Sequence, residues 1–385
     1  MSTNRRLFLK SGLAAAIGTK CAMALPGGND TPQVPGQPGP VGASIRKVSY
    51  KRIATEEAWG PQEMFDLYRR MLSSSSASVD VNLASSWGGN SLIGRNSLLV
   101  ERLLDIGERR IKDMDAAGTD IQILSLTSPG VQVFDAATAN SVAASSNDQL
   151  AEAIRKYPTR FAGLAAVAPQ DPKEAAKEME RGIKKLGLKG VIINSHTHGE
   201  YLDDPKFWEI FEAAEALNAA IYLHPQTPSP DMLKPYLARG FQSAILGFEA
   251  EVALHVLAII TSGVFDRFPK LKIVIGHGGE GLPYMLYRID YWYAHAHGKG
   301  AHPEKVKRTP SEYLKSNIYI TTSGLPWAPA ITMAQSVLGV DRVLYAMDYP
   351  YQYVIEEVTM TDNFPISDEN KNKLFQTNAE RVFNL

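Results

Sequence analysis

The chain has 385 residues, 44% of them hydrophobic and 21% charged, with 30 Gly and 23 Pro; these are the proportions of an ordinary folded protein with a sizeable core. Forty basic residues against 41 acidic ones give a formal charge of −1. With no Lys/Arg-dense segment, this predicts no nucleic-acid partner. The one cysteine, Cys21, excludes a disulfide scaffold and a thiolate-clustered metal site, leaving His, Asp and Glu as ligands for any metal. The length allows two domains or one α/β barrel with insertions.

Arg5 and Arg6 precede Leu7-Phe8-Leu9-Lys10, a short apolar stretch from Gly12 to Ile17, and Ala22-Met23-Ala24, a small-x-small cleavage pattern. Residues 1–24 therefore read as a twin-arginine export signal, which predicts a periplasmic or secreted protein. The apolar run is too short and too diluted by Gly12, Gly18 and Thr19 for a stable membrane anchor. Lys20 directly before Cys21 argues against lipidation of that cysteine. Cleavage after Ala24 would remove Arg5, Arg6, Lys10 and Lys20 and shift the formal charge from −1 to −5. Residues 25–47 read as a Pro/Gly-rich linker, and residues 48–385 as the folded unit.

Eight short apolar runs follow: Val48–Thr55, Ile121–Leu126, Phe161–Val167, Gly190–Asn194, Ala219–Leu223, Lys272–Ile275, Ile318–Thr322 and Val343–Ala346. Amphipathic helical patterns fill most of the intervals, as at Pro172–Leu186 and Pro205–Leu217. Continuous apolar strands separated by helices mean a parallel sheet covered on both faces. Eight such units predict an α/β fold of the (β/α)8 TIM-barrel type, and no Gly-x-Gly-x-x-Gly follows the first strand to suggest a dinucleotide fold. The segment Trp59–Asn96, with its serine run Ser73 to Ser76, reads as a lid inserted after strand one, before a helix predicted over Leu98–Met114.

In such a barrel, function sits at the C-terminal ends of the strands. Strand one ends in Glu56-Glu57-Ala58, strand four in Asn194-Ser195-His196, and strand five in His224-Pro225; strand six ends in His277-Gly278-Gly279-Glu280 and strand eight in Asp348-Tyr349-Pro350. A lone histidine at a strand end is usually structural. A Glu, a His and an Asp aimed at one point are instead a donor set for a divalent ion that keeps positions open for substrate. If Glu56 points inward, Glu57 should point away, because strand neighbours alternate.

The segment Arg52–Ala58, the run Glu101–Arg110, Ala168-Pro169-Gln170-Asp171-Pro172, Asn194–Thr197, Tyr284 with Tyr287–Tyr291, and Tyr345–Tyr351 resemble the amidohydrolase-superfamily aromatic decarboxylases. The carboxyvanillate decarboxylase branch is nearest. The resemblance covers Val48 to Leu385 and implies a metal-dependent, non-oxidative decarboxylase of an ortho-hydroxyaryl carboxylic acid, usually a homo-oligomer (dimer or tetramer). It implies Glu56, His224 and Asp348 as metal ligands, His277 with Glu280 as a histidine–carboxylate pair, and Arg95 and Arg288 as holders of the substrate carboxylate. Much of the family carries a His two residues after the first Glu, where this chain has Ala58. Two carboxylates and one nitrogen tilt the preference toward Mn2+, with Zn2+ the open alternative.

His196 and His198 are expected at the rim, His255 inside an apolar helix, and His295, His297 and His302 in a polar loop. No Gly-x-Ser-x-Gly nucleophile motif accompanies Ser73 to Ser76. Loss of CO2 from an aryl carboxylate requires protonation of the ring carbon, and Asp348 or His277 is placed to deliver that proton. The rival from another class is a metal-dependent hydrolase of a lactone, ester or amide, using the same metal to activate water.

Overall fold

The computed structural model describes residues 45, 47–73, 81, 98–295 and 306–385. The expected export signal, nearly all of the expected linker, Arg95, His297 and His302 lie outside the described residues.

All eight predicted strands are present. They are β1 (Ile53–Trp59), β2 (Ile121–Leu126), a third strand divided at Leu164 into β3 (Phe161–Gly163) and β4 (Ala165–Ala166), β5 (Gly190–Asn194), β6 (Ala220–His224), β7 (Lys272–Ile275), β8 (Ile318–Thr321) and β9 (Val343–Leu344). Every registered pair is parallel, in the orders β1-β2-β3 and β4-β5-β6-β7-β8-β9. Two backbone bonds join the sections: Leu164 N–H donates to Leu124 O at 2.9 Å, and Thr55 N–H donates to Tyr345 O at 3.1 Å. The sheet is thereby closed into the expected (β/α)8 barrel, with no free strand edge.

Val191, Ile193, Ile221, Leu223, Ile273 and Ile275 are all buried, because helices cover the outer face and side chains fill the inner one. The helix Pro172–Lys184 shows how the cover is made. Asp171 accepts from Glu174 N–H at its start, and Ala175, Met179 and Gly182 form its buried stripe. A Cβ on Gly182 would lie 2.9 Å from that of Ala165, so the missing side chain lets the helix rest on β4. Truncating a buried Met such as Met179 to Ala would cost about 2–5 kcal/mol.

Three sequence expectations need correction. β1 runs to Trp59, so Glu56 and Glu57 lie inside it and not after it. A strand tolerates this charged pair because each carboxylate finds hydrogen-bond donors and the register with β2 shifts between Ala54 and Glu57. Second, the segment read as a lid begins with a core helix, Gln62–Leu72, which buries Met64, Phe65 and Tyr68; most of the remainder lies outside the described residues. Third, the helix predicted over Leu98–Met114 is two, Leu98–Leu104 and Glu108–Ala117. Asp105 Oδ1 accepts from Gly107 N–H and Arg110 N–H and starts the second helix anew.

Candidate active site

At the C-terminal mouth of the barrel lies a cavity of about 460 Å3, bordered by His224, His277 and Asp348, by Pro129, Phe248 and Leu325, and by Gln226, Glu249, Tyr351 and Gln352. The volume lies within the range of small-molecule sites, and the mix of apolar walls with a few polar groups suits a planar ring.

The floor is built around Glu56. Its Oε2 accepts from the hydroxyls of Tyr222 and, at 3.1 Å, Thr321. A Cβ on residue 276 would fall 2.7 Å from that oxygen, so only glycine fits beneath it. Its Oε1 is buried without a hydrogen-bond partner, yet lies 3.4 Å from Nε2 of His224 and 3.4 Å from Nε2 of His277. His224 Nδ1–H donates to Pro225 O at 2.8 Å, which leaves its Nε2 lone pair facing the cavity. His277 Nδ1–H donates to Glu280 Oε1 at 2.8 Å, the pairing that the family resemblance implies.

Burial pushes the Glu56 carboxyl up to about 8, with His277 pulling down and Asp348 and Glu280 pushing further up. Burial likewise pushes Asp348 up to about 7. His224 is pushed down to about 3, by burial first and then by His277. At His277 burial works in the same direction, but Glu280 and Glu56 outweigh it and hold this imidazole well above its ordinary value. Three carboxyl groups in one poorly hydrated floor call for positive charge there. His277, Glu280 and Asp348 also hold left-handed backbone, with φ of 51°, 55° and 72°, a cost that folded proteins tolerate mostly at functional positions.

The donor set fits a hard divalent ion. One oriented carboxylate presents an unpartnered oxygen, one imidazole is fixed in the ligating tautomer, and Asp348 borders the same cavity. Among the described residues, no three His, Asp or Glu side chains are yet gathered into a closed ligand cluster. Tyr222 and Thr321 hold Glu56 by its other oxygen, so Oε1 is the oxygen it would offer to an ion held together with His224 and Asp348.

The remaining candidates are placed as follows. Glu57 points away from the floor, accepting from Met347 N–H at 2.9 Å and Tyr349 N–H at 3.2 Å. His196 and His198 bond backbone carbonyls of Thr227 and Phe134. His255 is fully buried: its Nε2 accepts from Leu202 N–H, and its Nδ1–H donates to Ser195, which donates in turn to Glu251. His295 is exposed and stacks on Tyr291. Arg288 does not border the cavity. It is exposed on the helix Leu282–His295 with its guanidinium 6.0 Å from the Trp292 ring centre.

Sequence reasoning missed Tyr222, Thr321, Phe248 and Glu249. Tyr222 carried a usable signal: two residues before His224 on one strand, it must share the inward face. Phe248 and Glu249 open a helix after an irregular stretch, and no periodicity aims them at the cavity.

The sequence profile described as Amidohydrolase matches residues 96–385. A gamma-resorcylate decarboxylase from Polaromonas sp. is 38% identical over 298 residues, covering 74% of this chain and 90% of that one. The crystal structure of a 5-carboxyvanillate decarboxylase from Novosphingobium aromaticivorans, complexed with manganese and 4-hydroxy-3-methoxy-5-nitrobenzoic acid, superposes with a TM-score of 0.84 at 47% identity, covering 88% of this chain and 97% of that one. A dihydroxybenzoic acid decarboxylase from Polaromonas sp., with bound manganese and 2-nitroresorcinol, gives a TM-score of 0.75 at 34% identity, covering 87% and 97%. With its profile spanning three-quarters of the sequence and its barrel shared with these enzymes, the chain belongs to the amidohydrolase family.

Proposed function

We infer that the chain is a metal-dependent, non-oxidative carboxy-lyase acting on an ortho-hydroxyaryl carboxylic acid. The observation that carries this reading is the buried, unpartnered Oε1 of Glu56 facing the imidazole nitrogens of His224 and His277, which border a ring-sized cavity. Glu56, His224 and Asp348 would hold one divalent ion, Mn2+ in preference to Zn2+ since two of the three donors are carboxylates. Relatives 47% and 34% identical contain manganese beside aromatic ligands. When bound, the ion would supply Lewis-acid stabilisation of negative charge on the substrate.

The chain's own residues do the rest. Phe248, Leu325 and Pro129 flank the ring and exclude water. Asp348 and His277 border the cavity where the ring carbon would lie, and either can hand it a proton as the bond to CO2 breaks. Glu280 fixes the His277 ring by accepting from Nδ1–H. Arg95 is proposed to hold the substrate carboxylate. Arg288 does not reach its own chain's cavity, so the same role for it requires a neighbouring copy of the chain. The exposed Tyr284, Tyr287 and Trp292 on its helix form the kind of apolar patch that such a homo-oligomer would cover. Export through the twin-arginine signal completes the proposal.

The test is turnover in D2O with 2,6-dihydroxybenzoate and 5-carboxyvanillate. The expected result is release of CO2 and one deuteron at the vacated ring carbon, because the departing carboxylate is replaced by a solvent-derived proton. Cleavage of a lactone, ester or amide with no CO2 from either acid would overturn it in favour of a hydrolase.

A further inference from the structure

Glu249 is the third residue of the helix Gly247–Thr261 and borders the same cavity as His224, His277 and Asp348. A glutamate in the first turn ordinarily complements the positive end of the helix. Here, however, Oε2 of Glu249 is buried and has no hydrogen-bond partner. The charged groups that act on it are Glu280, which repels it, and His277, which attracts it but is already paired to Glu280. Among the described residues lining the cavity, Glu249 and Asp348 are the two carboxyl groups. Asp348 belongs to the floor, whereas Glu249 stands beside the ring wall made by Phe248.

A buried acceptor without a donor is unfavourable unless a ligand completes it. We propose that Glu249 determines substrate specificity by offering this oxygen to a hydrogen-bond donor on the edge of the aryl ring. Hydroxyl- or amino-substituted acids are then accepted, and acids carrying a second carboxylate at that edge are disfavoured. The inference rests on the decarboxylase reading and narrows it, since a dihydroxybenzoate supplies the donor while a dicarboxylate such as 5-carboxyvanillate sets one carboxylate against another. A site built around a substrate hydroxyl discriminates strongly, because the wrong ligand leaves the site's polar atom unpaired. Glu249 is part-exposed, so the expected discrimination is about tenfold to a hundredfold, below the largest known cases.

The experiment compares the Mn2+-loaded wild type with Glu249→Gln and Glu249→Ala on 2,6-dihydroxybenzoate and 5-carboxyvanillate. The wild type should favour the dihydroxy acid. Glu249→Ala should raise its KM at least tenfold with kcat little changed, and Glu249→Gln should move the ratio of kcat/KM at least tenfold toward the dicarboxylate. Calorimetric titration with resorcinol, which cannot turn over, should show binding weakened tenfold in Glu249→Ala. Because the alanine variant deletes an unsatisfied buried group, its Tm should match or exceed that of the wild type, which separates lost binding from lost fold. Ratios within twofold of wild type in both variants, with resorcinol affinity unchanged, would overturn the inference while leaving the decarboxylase reading intact. Absence of CO2 from either acid with the wild type is a different result: it rejects the decarboxylase reading and the inference resting on it.

Discussion

Tyr222 donates its phenolic hydroxyl to Oε2 of Glu56 from the same inward face of β6 that carries His224. One oxygen of the glutamate is thereby committed to the barrel interior while the other lies 3.4 Å from the Nε2 atoms of His224 and His277, which border the cavity. Removing such an outer partner of a metal ligand typically costs about 10- to 100-fold in metal affinity. Tyr222→Phe should therefore weaken Mn2+ binding by that factor without unfolding the barrel. Competition against a chelator measures it; unchanged affinity would show that Thr321 alone orients the carboxylate.

Metal analysis of the purified protein should find about one ion per chain, and His224→Ala should lose both ion and activity. Chelation followed by Mn2+ should restore wild-type activity and leave the variant inactive. A full complement of metal in His224→Ala would falsify the ligand assignment.

His255 links stability to pH. Burial, aided by repulsion from His196, pushes this imidazole down to about 3, whereas in an unfolded chain it titrates near 6.5. Between those values the unfolded state binds a proton that the folded state refuses. The contribution is therefore complete above pH 6.5, falls as the pH drops through the window, and is gone below about 3. Its ceiling is on the order of 5 kcal/mol. His255→Gln should be less stable than wild type at pH 7.5, with that gap clearly narrower at pH 4.5, as read by urea unfolding. A gap that does not change with pH would remove His255 from the acid response.

The export proposal has its own test. Replacing Arg5 and Arg6 together with Lys should retain active, metal-loaded protein inside the cell, because the twin-arginine pair and not its charge is what the signal reading requires. Unchanged activity outside the cytoplasm would refute it.

Strand positions were legible because β5, β6, β7 and β8 are buried on both faces and read as uninterrupted apolar runs. The site was legible where chemistry and strand ends coincide, as at His224, His277 and Asp348. It was less so where a charged pair sits within a strand: Glu56-Glu57 looked like an ending because their donors, Tyr222, Thr321 and the amides of Met347 and Tyr349, come from residues remote in sequence. Arg288 was placed by motif matching alone, and spacing along a helix does not say what its outer, exposed face will meet. Glu249 was hidden for another reason: a glutamate in the first turn of a helix already has an ordinary explanation.

The seam between Thr55 and Tyr345, residues 290 positions apart, also sets when the floor can exist. Glu56 enters at the first strand and Asp348 follows the last, so a nascent chain still lacking its C-terminal strand holds only part of the donor set, however well its earlier strands have paired. Ends this distant meet late, because loop closure must come before the contacts that reward it. If the proposed ligands hold the ion, its capture would be a check on completed synthesis: a polypeptide truncated before β9 would lack Asp348 however well its earlier strands had paired.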